Sequence, residues 1–151
     1  MAAPAALVFY REFKKYLGDG TIDLDANTYK AMLLTSSYTP DVENDNIKGD
    51  IVANEVASGN GYTTGGVTLT SVTWTRSSGT VTFDAADPAW TGATSGFVAR
   101  TMAIYASGTL NGIVDPLVGY IVLDSAPADV SFAAGNTVTV VFNASGIFTL
   151  A

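Results

Sequence analysis

Two groups of carboxylates are the side chains of this sequence whose types and spacing best allow chemistry. They are Asp19, Asp23 and Asp25 in the first group, and Asp41, Glu43 and Asp45 in the second. Either group could offer oxygen ligands to Ca²⁺, and the alternate acids of the second match the start of an EF-hand loop. The rest of that motif is missing, because Asn46 stands where it needs glycine and Val52 where it needs glutamate. We therefore expect solvated loop acids, with no metal and no other cofactor.

Histidine and cysteine are both absent from the 151 residues. Without them, the common zinc sites and a Ser–His–Asp or Cys–His nucleophile cannot be built. A glycosidase needs two positioned carboxyls of unlike pKa, and nothing in the sequence identifies such a pair. The glycine-rich stretch 59–66 lacks the Lys-Ser/Thr of a phosphate-binding loop and leads into a strand pattern. These observations predict a protein that is not an enzyme.

The charge of the chain disfavours nucleic acid as a partner. The net charge is −7, and three of the seven basic residues crowd the N-terminal segment. No basic stripe is present to neutralise phosphates. The sequence has no run of about 18 apolar residues and no signal-peptide pattern at its start, so we expect no membrane partner and synthesis in a cytoplasm.

The share of charged residues is also low, at 14%, against roughly 25% in typical soluble domains. A surface completed by Thr, Ser, Asn and Gly leaves little charge repulsion between neighbouring molecules. This composition suits a protein that is packed against others.

Residues 4–17 are the best helix candidate. The apolar residues at helical spacing are Leu7, Tyr10, Phe13 and Leu17. Pro4 is acceptable in a first helical turn, and Gly18 supplies a stop before a turn at residues 19–20. This segment packs either on its own domain or on a neighbour; the sequence does not decide which.

From residue 21 onward the pattern predicts strands. We place them at residues 29–35, 67–76, 80–84, 97–106, 117–124 and 137–142, with a last short one at 147–150. We predict loops or turn-rich links at residues 36–50, 87–96, 109–115 and 125–136, and a short helix or extended connector at 51–56. The predicted fold class is mostly β: an antiparallel β-sandwich or jelly-roll-like barrel of about seven or eight strands with one N-terminal α-helix. The domain prediction is a single unit over residues 1–151, with an N-terminal helix or arm at 1–18 and a β body at 19–151.

Three local patterns refine this reading. The alternation in residues 67–76 slips by one position, which predicts a β-bulge. Residues 77–79 predict a hairpin connection. Residues 97–106 carry apolar side chains on both parities, so that strand should be covered on both faces. The second cover is either a partner protein or a loop or helix of the same chain.

Five residues are candidates for contact with a partner. They are Leu7, Tyr10, Phe13, Tyr16 and Trp90. The first four belong to the predicted N-terminal helix, and Trp90 lies in a predicted loop, where an aromatic side chain can anchor an interface. We assign the other tryptophan, Trp74, to the core.

Several stretches taken together resemble a widespread group of small tailed-phage proteins described as virion structural proteins. The stretches are FYREFKKYL at 9–17, GDGTIDLD at 18–25, YKAMLLTSSYTP at 29–40, NEV at 54–56, GNGYTTGG at 59–66 and FDAAD at 83–87 with Trp90. The likeness runs over nearly the whole chain, and its most specific part is the strand that ends in TSSYTP.

This resemblance implies a particle component with no catalytic residues. Within that class we expect a capsid decoration, or cement, protein on the outer surface of the virion. Its partners would be the major capsid protein and further copies of this chain, as a homo-oligomer such as a trimer. A tail, connector or fibre component is the alternative within the virion. A carbohydrate-binding module that uses Trp90 and nearby loop acids with Ca²⁺ is the alternative from another class.

Overall fold

Short runs of β-branched and aromatic residues, separated by glycine, asparagine and aspartate turns, make this chain mostly β. The computed structural model describes residues 3–151. In chain order the strands are β1 Val8–Phe9, β2 Tyr29–Leu34, β3 Val67–Thr68, β4 Thr73–Ser77, β5 Thr80–Asp84, β6 Ala89–Thr91, β7 Phe97–Ala99, β8 Thr101–Ala106, β9 Thr109–Leu110, β10 Ile113–Val114, β11 Leu117–Val122, β12 Val130–Phe132, β13 Thr137–Thr139 and β14 Phe148–Leu150. The helices are α1 Arg11–Gly18 and α2 Lys48–Ile51, and α2 continues into the 3₁₀ helix Val52–Asn54.

All pairs among these strands are antiparallel. The largest sheet has five strands in the order β1–β11–β8–β2–β3, and a second sheet has the order β14–β5–β4. Three two-stranded ribbons, β10–β9, β12–β7 and β13–β6, complete the set. The predicted mostly β, antiparallel, sandwich-like class is confirmed.

Strand β8 lies at the centre of the five-stranded sheet, and all six of its residues are buried. Met102 and Ile104 face the main core, which continues into the second sheet through Phe83 and Phe148. Tyr105 and the rest of the opposite parity face a second cluster, formed with residues that include Tyr10, Tyr38 and Ile51. Both faces of β8 are therefore covered by other parts of the same chain. The second cover, which the sequence assigned either to a partner protein or to this chain, comes from this chain.

The N-terminal helix is shorter than predicted. Helix α1 begins at Arg11 and ends at Gly18, as the glycine stop required, but the residues before it are extended and include β1. The edge of β11 explains the difference: Ala5 N donates to Val122 O at 2.9 Å, and Ser125 N donates to Ala3 O at 3.1 Å. Gly119 allows strands β1 and β11 to approach closely, because a Cβ at this position would lie 2.7 Å from Val8 O. No helix in residues 3–151 is long and apolar enough to cross a bilayer.

Two predicted strands are each divided between two sheets, which raises the number of strands above the expected seven or eight. Residues 67–76 form β3 and β4, and Ser71 between them has a φ of 52°. The slip in alternation therefore marks a crossing between sheets, and the predicted bulge is wrong. Residues 97–106 likewise form β7 and β8, with Arg100 between them.

Three segments predicted as loops contain short strands. Trp90 lies in β6, residues 125–136 include β12, and residues 109–115 form the β9–β10 hairpin. In contrast, the hairpin predicted at residues 77–79 is confirmed, since Ser77 pairs with Thr80 and β4 runs directly into β5.

Candidate interaction surface

The surface best shaped to receive a partner is a groove between the two ends of the chain. Residues 3–7 form one wall and residues 141–149 form most of the other, while Ile121 of β11 contributes to the lining. The recess has a volume of about 590 Å³ and opens to solvent. We call it the terminal groove.

Aromatic contacts close one end of the terminal groove. The ring of Phe9 packs edge-on against Phe148 at 4.9 Å between centroids and stacks on Phe13 at 5.2 Å. At this point the wall formed by the N-terminal segment touches the wall formed by β14. The N-terminal wall is also held by the hydrogen bonds that join residues 3–5 to the end of β11 and to Ser125 just after it.

Among residues 3–151, the lining of the terminal groove contains no charged residue. Val141 is 60% exposed on its wall, whereas Phe142, Ile147 and Phe148 are buried beside it. Asn143, Ser145 and Thr149 supply the polar side chains. Such a lining can hold an apolar side chain of a partner and hydrogen-bond at its rim, but it offers no acid–base pair.

A second recess includes Leu150, the last residue of β14, in its lining. It has a volume of about 370 Å³, and Leu17, Ile22, Trp74 and Leu150 are among its lining residues. Leu150 is 41% exposed, and Trp74 is only partly buried. Asp23 also lines this recess, so its lining is not wholly apolar.

The structure places four of the five predicted interface residues inside the chain. Tyr10, Phe13, Tyr16 and Trp90 are 0%, 1%, 4% and 3% exposed, respectively. Their predicted contact with a partner is wrong for the folded chain, because almost no surface of these side chains is free. The N-terminal segment is for the same reason part of the core and not a separate arm.

Leu7 is the predicted residue that the structure brings to the candidate surface, where it lines the terminal groove. Trp90 is buried and packs edge-on against Phe132, whereas Trp74 is half-buried, packs against the main core as predicted and also lines the second recess. The sequence did not indicate residues 141–149 as part of an interaction surface. Their one signal in the sequence is the run of apolar residues around a turn at residues 144–145, which is also typical of a buried hairpin.

The carboxylates that drew attention in the sequence stabilise their own turns. Asp41 Oδ1 accepts hydrogen bonds from the N–H groups of Glu43 and Asn44, and Asp45 Oδ2 accepts from the N–H of Asp41. The side chain of Asn44 lowers the pKa of Asp41, and hydrogen bonds from Thr21 lower the pKa of Asp19. In residues 3–151 no three acidic side chains lie together as a metal site would need.

Comparison with known proteins adds no relative: no family model, curated protein or solved structure matches this chain.

Proposed function

We propose that this chain is a structural protein of a tailed-bacteriophage particle, and specifically a capsid decoration protein. It would bind the outer surface of the shell and stabilise contacts between neighbouring capsomers. The observation that carries the proposal is the terminal groove, an open recess whose lining within residues 3–151 is uncharged and includes buried aromatic rings. Recesses of this kind receive the few anchor side chains that dominate the binding energy of protein interfaces. The sequence resemblance to virion structural proteins supports the same assignment.

The carbohydrate-binding alternative loses its main residue. It relied on Trp90 as an exposed stacking surface, and this side chain is 3% exposed. A tail, connector or fibre role keeps the same surface and differs only in the partner.

The test is co-sedimentation of the purified chain with tail-less heads and, separately, with isolated tails of the phage that encodes it. We expect saturable binding to heads. Binding to tails alone would transfer the proposal to a tail component, and binding to neither would contradict a virion role.

A pair of variants tests whether the terminal groove makes the contact. Val141→Lys places a charge in the groove wall, and Val98→Lys places the same charge on β7, where the side chain is 51% exposed and outside the groove. We expect Val141→Lys to weaken binding to heads by about tenfold or more, about 1.4 kcal/mol. Equal binding by both variants would exclude the groove as the contact surface.

A further inference from the structure

The chain contains two Asn-Gly dipeptides, Asn60–Gly61 and Asn111–Gly112. This dipeptide is the one most prone to spontaneous deamidation, because glycine offers least steric hindrance to attack by its own backbone nitrogen. Both asparagines are exposed and have positive φ values, 53° and 48°. Their local conformation is therefore similar, and any difference in reactivity must come from their surroundings.

Asn60–Gly61 is enclosed by backbone. Gly59 and Tyr62 bond to each other in both directions, at 2.8 and 3.0 Å, and Ala93 N donates to Asn60 O at 2.7 Å. A Cβ placed on Gly61 would lie 2.1 Å from Thr91 O, so this glycine is pressed against the end of β6. The rotation that carries its nitrogen onto the asparagine side chain would force this packing apart.

Asn111–Gly112 is free of such packing. The two residues form the tip of the β9–β10 hairpin, in which Leu110 pairs with Ile113, and no atom lies within 4 Å of a Cβ placed on Gly112. Within residues 3–151, the side-chain amide of Asn111 makes one hydrogen bond, from Nδ2 to Thr21 Oγ1, and at 3.4 Å it is longer than the usual range.

We propose that Asn111 is a site of spontaneous modification in the folded protein and that Asn60 is protected. The nitrogen of Gly112 attacks Cγ of Asn111 and loses its proton to solvent. The Cγ–Nδ2 bond then breaks, and the side-chain nitrogen takes up a proton from solvent and leaves as ammonia, which gives a cyclic imide. Water then opens the imide at either carbonyl, which yields aspartate or isoaspartate. The product gains one negative charge beside the hairpin. In the isoaspartate form it also gains one backbone methylene, which disturbs the Leu110–Ile113 pair.

The experiment is incubation of the native chain at mildly alkaline pH, followed by tryptic mass mapping. Cleavage after Lys48, Arg76 and Arg100 separates the two sites into residues 49–76 and 101–151. We expect the replacement of NH₂ by OH at Asn111, with modification of Asn60 slower by about tenfold or more, the factor given by a local opening free energy of about 1.4 kcal/mol. An Asn111→Asp variant, whose hairpin keeps the product residue, should show no such replacement at position 111.

The same incubation in guanidinium chloride supplies the control for sequence effects. Both sites should then react at similar rates, because each asparagine precedes glycine and the fold is absent. Equal reaction of the two sites in the native chain would overturn the proposal. So would protection of both in the native chain, or a preference for Asn111 that persists in denaturant.

Discussion

Four buried tyrosines carry their hydroxyl groups to fixed acceptors, and each acceptor belongs to a loop. Tyr29 donates to Asp23 O, Tyr38 to Asp45 Oδ2, Tyr62 to Glu55 Oε1 and Tyr105 to Gly65 O, at distances between 2.6 and 2.8 Å. The ring of each tyrosine adds apolar area to the core while its oxygen holds a turn. Tyr29 of β2 and Tyr105 of β8 thus hold loop backbone to the central sheet, and Tyr62 links Glu55 to β2 because its hydroxyl also accepts from Leu33 N.

The first prediction concerns Tyr38, whose hydroxyl lies 2.7 Å from that of Tyr10 as well as from Asp45. Tyr38→Phe removes the hydroxyl that bonds to both residues, and the buried Tyr10 hydroxyl then loses its hydrogen bond to Tyr38. We expect a loss of about 1–3 kcal/mol in the free energy of unfolding, measured by urea titration. Tyr120→Phe is the matched control, because the Tyr120 hydroxyl makes no hydrogen bond within residues 3–151. Equal losses in both variants would contradict the assigned role.

The second prediction is a loss of stability at alkaline pH. Burial raises the pKa of Tyr105 from 10.0 to about 12, and burial also raises the pKa values of Tyr10, Tyr29, Tyr38 and Tyr62. A raised pKa means that the folded chain holds its proton longer than the unfolded chain, so this stability is complete below pH 10 and is lost as pH rises towards 12. Urea titrations across this range should show a falling free energy of unfolding, with a slope of about 1.4 kcal/mol per pH unit for each such tyrosine. Tyr105→Phe should reduce the slope, and an unchanged slope would contradict the attribution to this residue.

At the scale of elements, the N-terminal segment divides into two parts with different roles. Residues 3–9 add an edge strand to β11, whereas Tyr10 and α1 supply side chains to both clusters of the core. The first part shapes the terminal groove, and the second part is needed for the fold itself.

Two truncations test this division. Deletion of residues 1–7 should leave a folded protein with a lower Tm and, if the proposed function holds, without affinity for heads. Deletion of residues 1–18 should abolish cooperative unfolding, because it removes Tyr10, Phe13 and Tyr16 from the core. Far-UV circular dichroism and thermal melting measure both effects. If the chain without residues 1–18 still unfolds cooperatively, the N-terminal segment is a separable arm and is not needed for the fold.

Sequence reasoning located the strands whose pattern is continuous over five or six residues, but it missed the local β9–β10 hairpin, whose strands have two residues each. The β4–β5 hairpin follows from β-branched alternation and nearby turn residues, and the strand at 29–35 follows from a short apolar run. Strands β1, β6 and β12 were missed, because each is two or three residues long and is defined by a distant partner. The candidate groove was missed except for Leu7, since its two walls come from opposite ends of the chain. Whether Trp74 or Trp90 is exposed likewise depends on packing between sheets.

At the scale of the whole molecule, one aromatic network joins the two main sheets. Phe83 of β5 packs edge-on against Tyr29 of β2 at 5.0 Å and stacks on Phe148 of β14 at 5.1 Å. Phe148 in turn contacts Phe9 and Phe13, so the network reaches the N-terminal segment. Loss of a ring at its centre should weaken both sheets together.

The corresponding prediction is that Phe83→Ala lowers the free energy of unfolding by about 3–5 kcal/mol, as for a fully buried aromatic ring. Circular dichroism and tryptophan fluorescence should report the same shifted midpoint in urea. Val98→Ala, at a side chain 51% exposed, is the control and should change stability by no more than about 0.5 kcal/mol. Separate midpoints for the two probes would show that the sheets unfold independently.

The order of strands in the central sheet also constrains how the chain is made. Strand β2 can pair with β8 only after residues 101–106 have been synthesised. Strand β1 can pair with β11 only after residue 120, since Val8 pairs with Tyr120. A nascent chain that has reached residue 100 therefore holds only the β2–β3 pair of this sheet and keeps the other edge of β2, which later pairs with β8, open. Non-local pairing of this kind is slow, in the range of about milliseconds to seconds for β proteins. Folding must then follow synthesis of nearly the whole polypeptide, so stalled or truncated products should aggregate.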